Sequence, residues 1–202
     1  MLRIANCSGF YGDRLSAARE MVEGGSIDVL TGDYLAELTM AILYRSRVKK
    51  PETGYATTFL TQMEQVLGRC LEKKIRVVVN AGGLNPKGCA EALGKIAEKL
   101  GLKPRIAYLA GDDVLDRLQM WQQGLALAHL DKGTPLSALK SPVLTANAYL
   151  GGWGIADALA RGADVVITGR VTDASMVVGP AAWRFGWGRE DWDRLASAVV
   201  AG

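Results

Sequence analysis

Short runs of β-branched and apolar residues alternate along this chain with segments whose apolar residues recur every three or four positions. That alternation narrows the fold more than any single motif. The runs cover residues 2–6, 27–31, 75–80, 105–109, 143–147 and 165–168, each bounded by Gly, Asn or Asp, and they predict six strands. Between them, spacings such as Leu93, Ile96, Ala97 and Leu100 put one apolar stripe on a helix. A parallel neighbour is reached only by carrying the chain back across the sheet, so the alternation predicts parallel strands joined by right-handed crossovers. The run Val77-Val78-Val79 has no polar alternation and suits a sheet covered on both sides. The expected class is α/β: a predominantly parallel sheet of about six strands with helices on both faces, doubly wound and three-layered. The interval between the second and third strands holds room for two helices, over residues 34–47 and 57–73, with Pro51 and Gly54 in the turn between them.

The 202 residues, 49% hydrophobic and 22% charged, are enough for one packed domain, without internal repeats or low-complexity segments. With 24 Lys+Arg against 21 Asp+Glu and no long basic run, nucleic acid is not an expected partner. Cys7, Cys70 and Cys89 lack C-x-x-C spacing, which disfavours a disulfide framework or a cysteine zinc site and fits a reducing compartment. No leader of signal-peptide type precedes the first strand, and apolar runs fall far short of the ~20 residues of a membrane helix. A soluble, cytoplasmic protein without a membrane partner is expected. Residues 186–195 read as a turn feeding a last helix, with Glu190 and Asp191 near its positive end. The chain then stops at Gly202 with no tail, so residues 1–202 read as a single α/β domain forming the N-terminal part of a longer protein.

In parallel α/β sheets, ligands bind beyond the carboxyl ends of the strands, where loops and helix N-termini converge. All six predicted strand ends carry Gly beside Asn, Asp, Arg or Ser, whereas the opposite ends carry mainly Lys, Glu and ordinary turns. One functional edge is therefore expected, although Gly also serves tight turns and Asn or Asp also caps helices. The first end supplies Ser8 and Gly9 as substrate contacts. In Asn80-Ala-Gly-Gly-Leu-Asn-Pro, the amides of Gly82 and Gly83, with Asn85, can approach a phosphate, a carboxylate or an oxyanion. The loop is neither a P-loop nor a dinucleotide fingerprint, so neither ATP nor a nicotinamide is inferred. Asp33, Asp112, Asp113 and Asp173 bring as many as four carboxylates toward one cleft, for proton transfer or for a divalent metal such as Mg²⁺. Arg170 can fork onto a substrate carboxylate or phosphate, or pair with Asp173 or Asp164. Asn80 and Asn147 can polarise a carbonyl or orient a water, or simply tie loops together.

His129, the single histidine, is placed near a helix C-terminus in a dipole-stabilising or core role, which disfavours a His-based zinc site. Cys7 at the first strand end reads either as a nucleophile or, more commonly for such a position, as a small buried filler. Trp183, Trp187 and Trp192 fit core packing or an interface better than a stacking platform.

Taken in order, the segments Ile27-Asp-Val-Leu-Thr-Gly-Asp-Tyr-Leu-Ala-Glu-Leu-Thr-Met, Asn80-Ala-Gly-Gly-Leu-Asn-Pro, Gly111-Asp-Asp, Ala146-Asn-Ala-Tyr-Leu-Gly, Ile167-Thr-Gly-Arg-Val-Thr-Asp and Phe185-Gly-Trp resemble the acyclic terpene utilisation protein A family, formerly DUF1446. The resemblance runs over nearly the whole chain. Family members continue past this point into a segment with His, Glu and Cys and then a further domain. The resemblance implies catabolism of branched acyl-CoA or related carboxylates, as a lyase at a 3-hydroxy-glutaryl-CoA-like stage, in company with a biotin-dependent carboxylase.

Two functions fit these residues. In the first, the chain is a catabolic enzyme, a lyase or hydrolase of acyl-CoA-type substrates and a homo-oligomer, in which Asp112→Ala or Arg170→Ala removes turnover and spares the fold. In the second, it is a noncatalytic binding or assembly subunit partnering an acyl-CoA carboxylase or another copy of itself. A kinase- or phosphatase-like use of Asp and Mg²⁺ lacks a phosphate loop to support it.

Overall fold

The structure is a computed structural model that describes residues 1–125 and 127–202. Its elements run β1 (Ile4–Asn6), α1 (Ala17–Gly24), β2 (Val29–Gly32), α2 (Glu37–Lys49), α3 (Thr57–Glu72), β3 (Arg76–Val79), α4 (Pro86–Lys99), β4 (Ile106–Tyr108), α5 (Leu118–Gly124), α6 (Trp153–Ala160), β5 (Val165–Ile167), α7 (Ser175–Phe185) and α8 (Trp192–Ala201). The strands form one sheet in the order β1-β2-β3-β5-β4, every pair parallel. This is the expected α/β class, with helices on both faces.

Side-chain alternation along the strands divides the core between the two faces. Leu30, Val77, Val79, Val165 and Ile167 share a cluster with Val22 of α1, Met63 and Leu67 of α3 and Leu93 of α4. Val29, Val78 and Val166 point the other way, onto Ile155 and Leu159 of α6 and Met176 of α7. The unbroken valines of β3 are explained by that double coverage.

The expected strand over residues 143–147 does not form. Its backbone bonds to the loop after β4, with Val114 N–H donating to Ala146 O at 2.9 Å and Ala148 N–H to Asp112 O at 2.7 Å. Only an isolated antiparallel bridge, Asp113 to Asn147, results. The place beside β5 is already taken by β4, and Pro142 has no amide to offer a ladder. Residues 109–125 and 127–151 form an arm over the strand ends in which Asp112 is the one buried residue.

The helices that follow β1, β2 and β3 all pack on one face, whereas α6 and α7, following β4 and β5, pack on the other. Neighbouring strands β3 and β5 therefore send their chains in opposite directions, a topological switch point at which the two loops meet through the Gly82 amide donating to Thr168 O at 3.0 Å. No helix among the described residues is long and apolar enough to cross a membrane.

Candidate functional site

Hydrogen bonds stitch four of the strand-end loops together. Asn80, fully buried after β3, accepts the Tyr34 amide at 2.7 Å and donates to Asp33 Oδ1 at 2.6 Å. The Leu35 amide donates to that same oxygen at 3.2 Å. Both protein donors on Asp33 thus converge on Oδ1. Burial pushes the Asp33 carboxyl above its usual range; the Asn80 and Leu35 bonds and Arg170 pull against this, while the nearby Asp173 carboxylate pushes the same way as burial.

Asp33 and Asp173 line a cleft of about 570 Å³ on the α7–α8 side of the sheet. Asn6 and Thr31 complete its polar end. Leu2, Ile4, Met176, Val177, Ala181 and Phe185 form apolar walls, and Trp187 stacks on Phe185 with ring centroids 5.6 Å apart. Two other hollows of similar size, one in the arm and one along β4, hold no strand-end carboxylate. Trp192 is exposed, outside both cleft and core, whereas Trp183 packs against the α6–α7 cluster.

Asp112 and Arg170 are drawn into the scaffold. Asp112, 3% exposed, accepts the Arg170 amide at 2.8 Å and the Asn147 side-chain amide at 2.9 Å, both on Oδ2. Gly169 lies so close that a Cβ there would strike the Asp112 carboxylate. The buried Arg170 guanidinium donates to Leu35 O at 3.0 Å, Glu37 Oε1 at 3.1 Å and the Tyr149 hydroxyl at 2.5 Å, and lies 4.4 Å from the Tyr149 ring centre. Tyr149 in turn donates to Glu37 Oε1 at 2.6 Å. That bond, foremost, with Glu37's own amide and the Arg170 charge, holds the exposed Glu37 carboxyl below its usual range. The sequence-based pairing of Arg170 with Asp173 or Asp164 is thus replaced by Glu37, because Asp164 is held by Arg76 at the opposite end of the strands. Sequence reasoning missed Glu37 and Tyr149, whose meeting depends on a contact across 112 residues.

The remaining candidates hold loops. Asp113 caps the turn at Leu115 and stands 3.6 Å from Arg47. The Ser8 hydroxyl donates to Phe10 O and the Gly9 amide to Asp13. Asn85 caps α4 by accepting the Gly88 amide at 2.9 Å. The Gly82 and Gly83 amides turn inward, to Thr168 O at 3.0 Å and Asn80 O at 3.2 Å. Gly82 is required for close approach, since a Cβ would lie 2.6 Å from Thr168 O and 2.7 Å from Pro86 Cα, both backbone atoms. Gly82→Ala is expected to cost about 3 kcal/mol of unfolding free energy in urea titrations.

The four expected carboxylates do not share one cleft: Asp112 is sealed under Arg170, Asp113 faces Arg47, and Asp33 and Asp173 remain. Among the described residues no three His, Cys, Asp or Glu side chains stand close enough to hold a metal together. His129 lies exposed in a loop beyond α5, where Nδ1 accepts the Asp131 and Lys132 amides; the segment turns back instead of continuing as helix. Cys7 is the buried filler, its thiol pushed up to about 11 chiefly by burial. Cys70 is pushed up to about 12 for the same reason. Native protein is expected to resist iodoacetamide at mildly alkaline pH on a timescale that labels the urea-unfolded chain completely.

A search of curated proteins and of solved structures returns no match. A family model does match, that of the acyclic terpene utilisation family protein AtuA, over residues 2–202, and the chain belongs to that family.

Proposed function

We propose that this chain is a catabolic enzyme domain that moves a proton on a branched acyl-CoA or related thioester, as a lyase, with Asp33 as the acid and base. The single observation that carries this reading is a carboxyl of raised proton affinity set in an apolar-walled cleft at the strand ends. Because Oδ1 takes both protein donors, Oδ2 is the oxygen that carries the exchangeable proton. Asn80 is a positioning residue that fixes the carboxyl's rotation. The branched chain lies against Ile4, Met176, Val177 and Ala181, and Asp33 takes the proton of a β-hydroxyl as the bond from the hydroxyl-bearing carbon to the thioester's α-carbon breaks, then returns it to that α-carbon, so that a ketone and a shortened thioester leave. Family membership supports a role in acyclic terpene breakdown. The test is turnover of a panel of branched acyl thioesters by the full chain and by Asp33→Asn. Loss in the variant, with its melting temperature retained, is the expected result, and equal turnover in both overturns the assignment.

The exposed side chains of Met120, Leu125, Leu130 and Leu139 in the arm favour a second reading, an assembly subunit docking on a carboxylase or another copy. Light scattering of the purified chain, alone and mixed with such a carboxylase, checks it; a monomer that forms no complex counts against it.

A further inference from the structure

The polar end of the cleft is acidic and short of donors. Its lining includes Asp33 and Asp173 and no Lys, Arg or His. Three of the donors that line it already serve the protein, while the Trp187 indole N–H stands in the aromatic wall. The Asn6 amide donates to Ser8 O at 2.9 Å, the Thr31 hydroxyl to Asn6 Oδ1 at 3.2 Å, and the Ser197 hydroxyl to Asp193 O at 2.7 Å. Arg170 is the guanidinium near Asp33, but its contacts are Leu35, Glu37 and Tyr149, and it does not line the cleft. Asp173 is exposed at the start of the loop into α7 and enters no ion pair among the described residues, so its charge is uncompensated. A ligand group arriving here meets acceptors and negative charge.

We propose that Asp173 makes the cleft a charge filter, admitting branched apolar molecules with an uncharged or cationic, hydrogen-bond-donating end and turning away those with an anionic group at that end. The inference rests on the reading of this cleft as the substrate site and sharpens it: the group that reaches Asp33 is a hydroxyl, never a free carboxylate. A ligand carboxylate would be the third beside Asp33 and Asp173, with no lining cation to offset its repulsion. An anionic head group elsewhere on the molecule is compatible if it stays outside the cleft.

Three probes of one shape separate these cases: 3,7-dimethyloct-6-en-1-ol, the anion of the corresponding acid and the cation of the corresponding amine. Trp187 in the wall makes tryptophan fluorescence the readout, with Trp187→Phe as the control that locates the signal. At about pH 7.5 the alcohol and amine are expected to bind the full chain, and the acid at least about tenfold more weakly than the alcohol. In Asp173→Asn, a surface change that leaves the fold intact, the gap between alcohol and acid is expected to shrink to about threefold or less. Equal binding of acid and alcohol by the unaltered chain, or the same gap in Asp173→Asn, overturns the filter alone. Binding of none of the three, or an identical response from Trp187→Phe, overturns the cleft as substrate site and the filter with it.

Discussion

Asp33→Asn is expected to lower turnover by about a hundredfold to ten-thousandfold, the range for a lost proton-transfer group, and to do so without weakening the fold. The amide preserves what holds the side chain: its oxygen can still accept from Asn80 and Leu35. It removes a half-buried carboxylate whose charged form is disfavoured in the folded protein, foremost by burial. A raised folded pKa means that the stability Asp33 contributes is fully present below the unfolded value, 3.8 for an ordinary aspartate, and is lost as pH rises through the folded value. Above that window the native carboxylate is a burden that Asn lacks. The melting temperature of Asp33→Asn should therefore equal or exceed that of the unaltered chain at neutral pH, with the difference shrinking as the solution is acidified. Calorimetry over a pH series checks the sign, and a variant less stable than the parent at neutral pH contradicts it. Opposite movement of stability and activity is the mark of a strained functional group rather than a scaffold residue.

Asp112→Ala is expected to behave in the reverse way, costing about 3–5 kcal/mol of stability. Its carboxylate is 3% exposed and is the acceptor for the Arg170 amide and the Asn147 side chain. Truncation strands both donors where water has little access and frees the arm from the loop after β5. Midpoints of urea unfolding should fall together with activity, and Asp112→Asn should recover most of the stability, because one amide oxygen can replace Oδ2. Arg170→Ala should likewise unfold the edge, leaving Leu35 O, Glu37 and Tyr149 without their shared donor. Asp112→Ala with full stability and no turnover would return Asp112 to the chemistry.

These two aspartates mark how far residue type can be read. Both follow a strand, both stand beside glycine, and the sequence expectation treated them alike. They differ in what the arm covers: its described residues close over Asp112, whereas Asp33 opens toward α7 and α8. The strand-end glycines were legible as a group, but the direction of their amides was not, since Gly82 turns toward Thr168 across 86 residues. The segment over residues 143–147 had strand character and lost its place to β4, a competition that local pattern does not express.

By itself the sequence determined the class of fold, the parallel direction of the strands and the gathering of Asp33, Asn80, Asp112 and Arg170 on one edge. Hydrophobic period and crossover geometry are local or nearly local consequences of residue order. Tertiary structure alone decided which of those groups opens onto a cleft and which is bonded into the scaffold. Burial and hydrogen-bond partners arise from contacts far apart in the chain, and a carboxylate becomes an acid or an anchor only when its neighbours are in place.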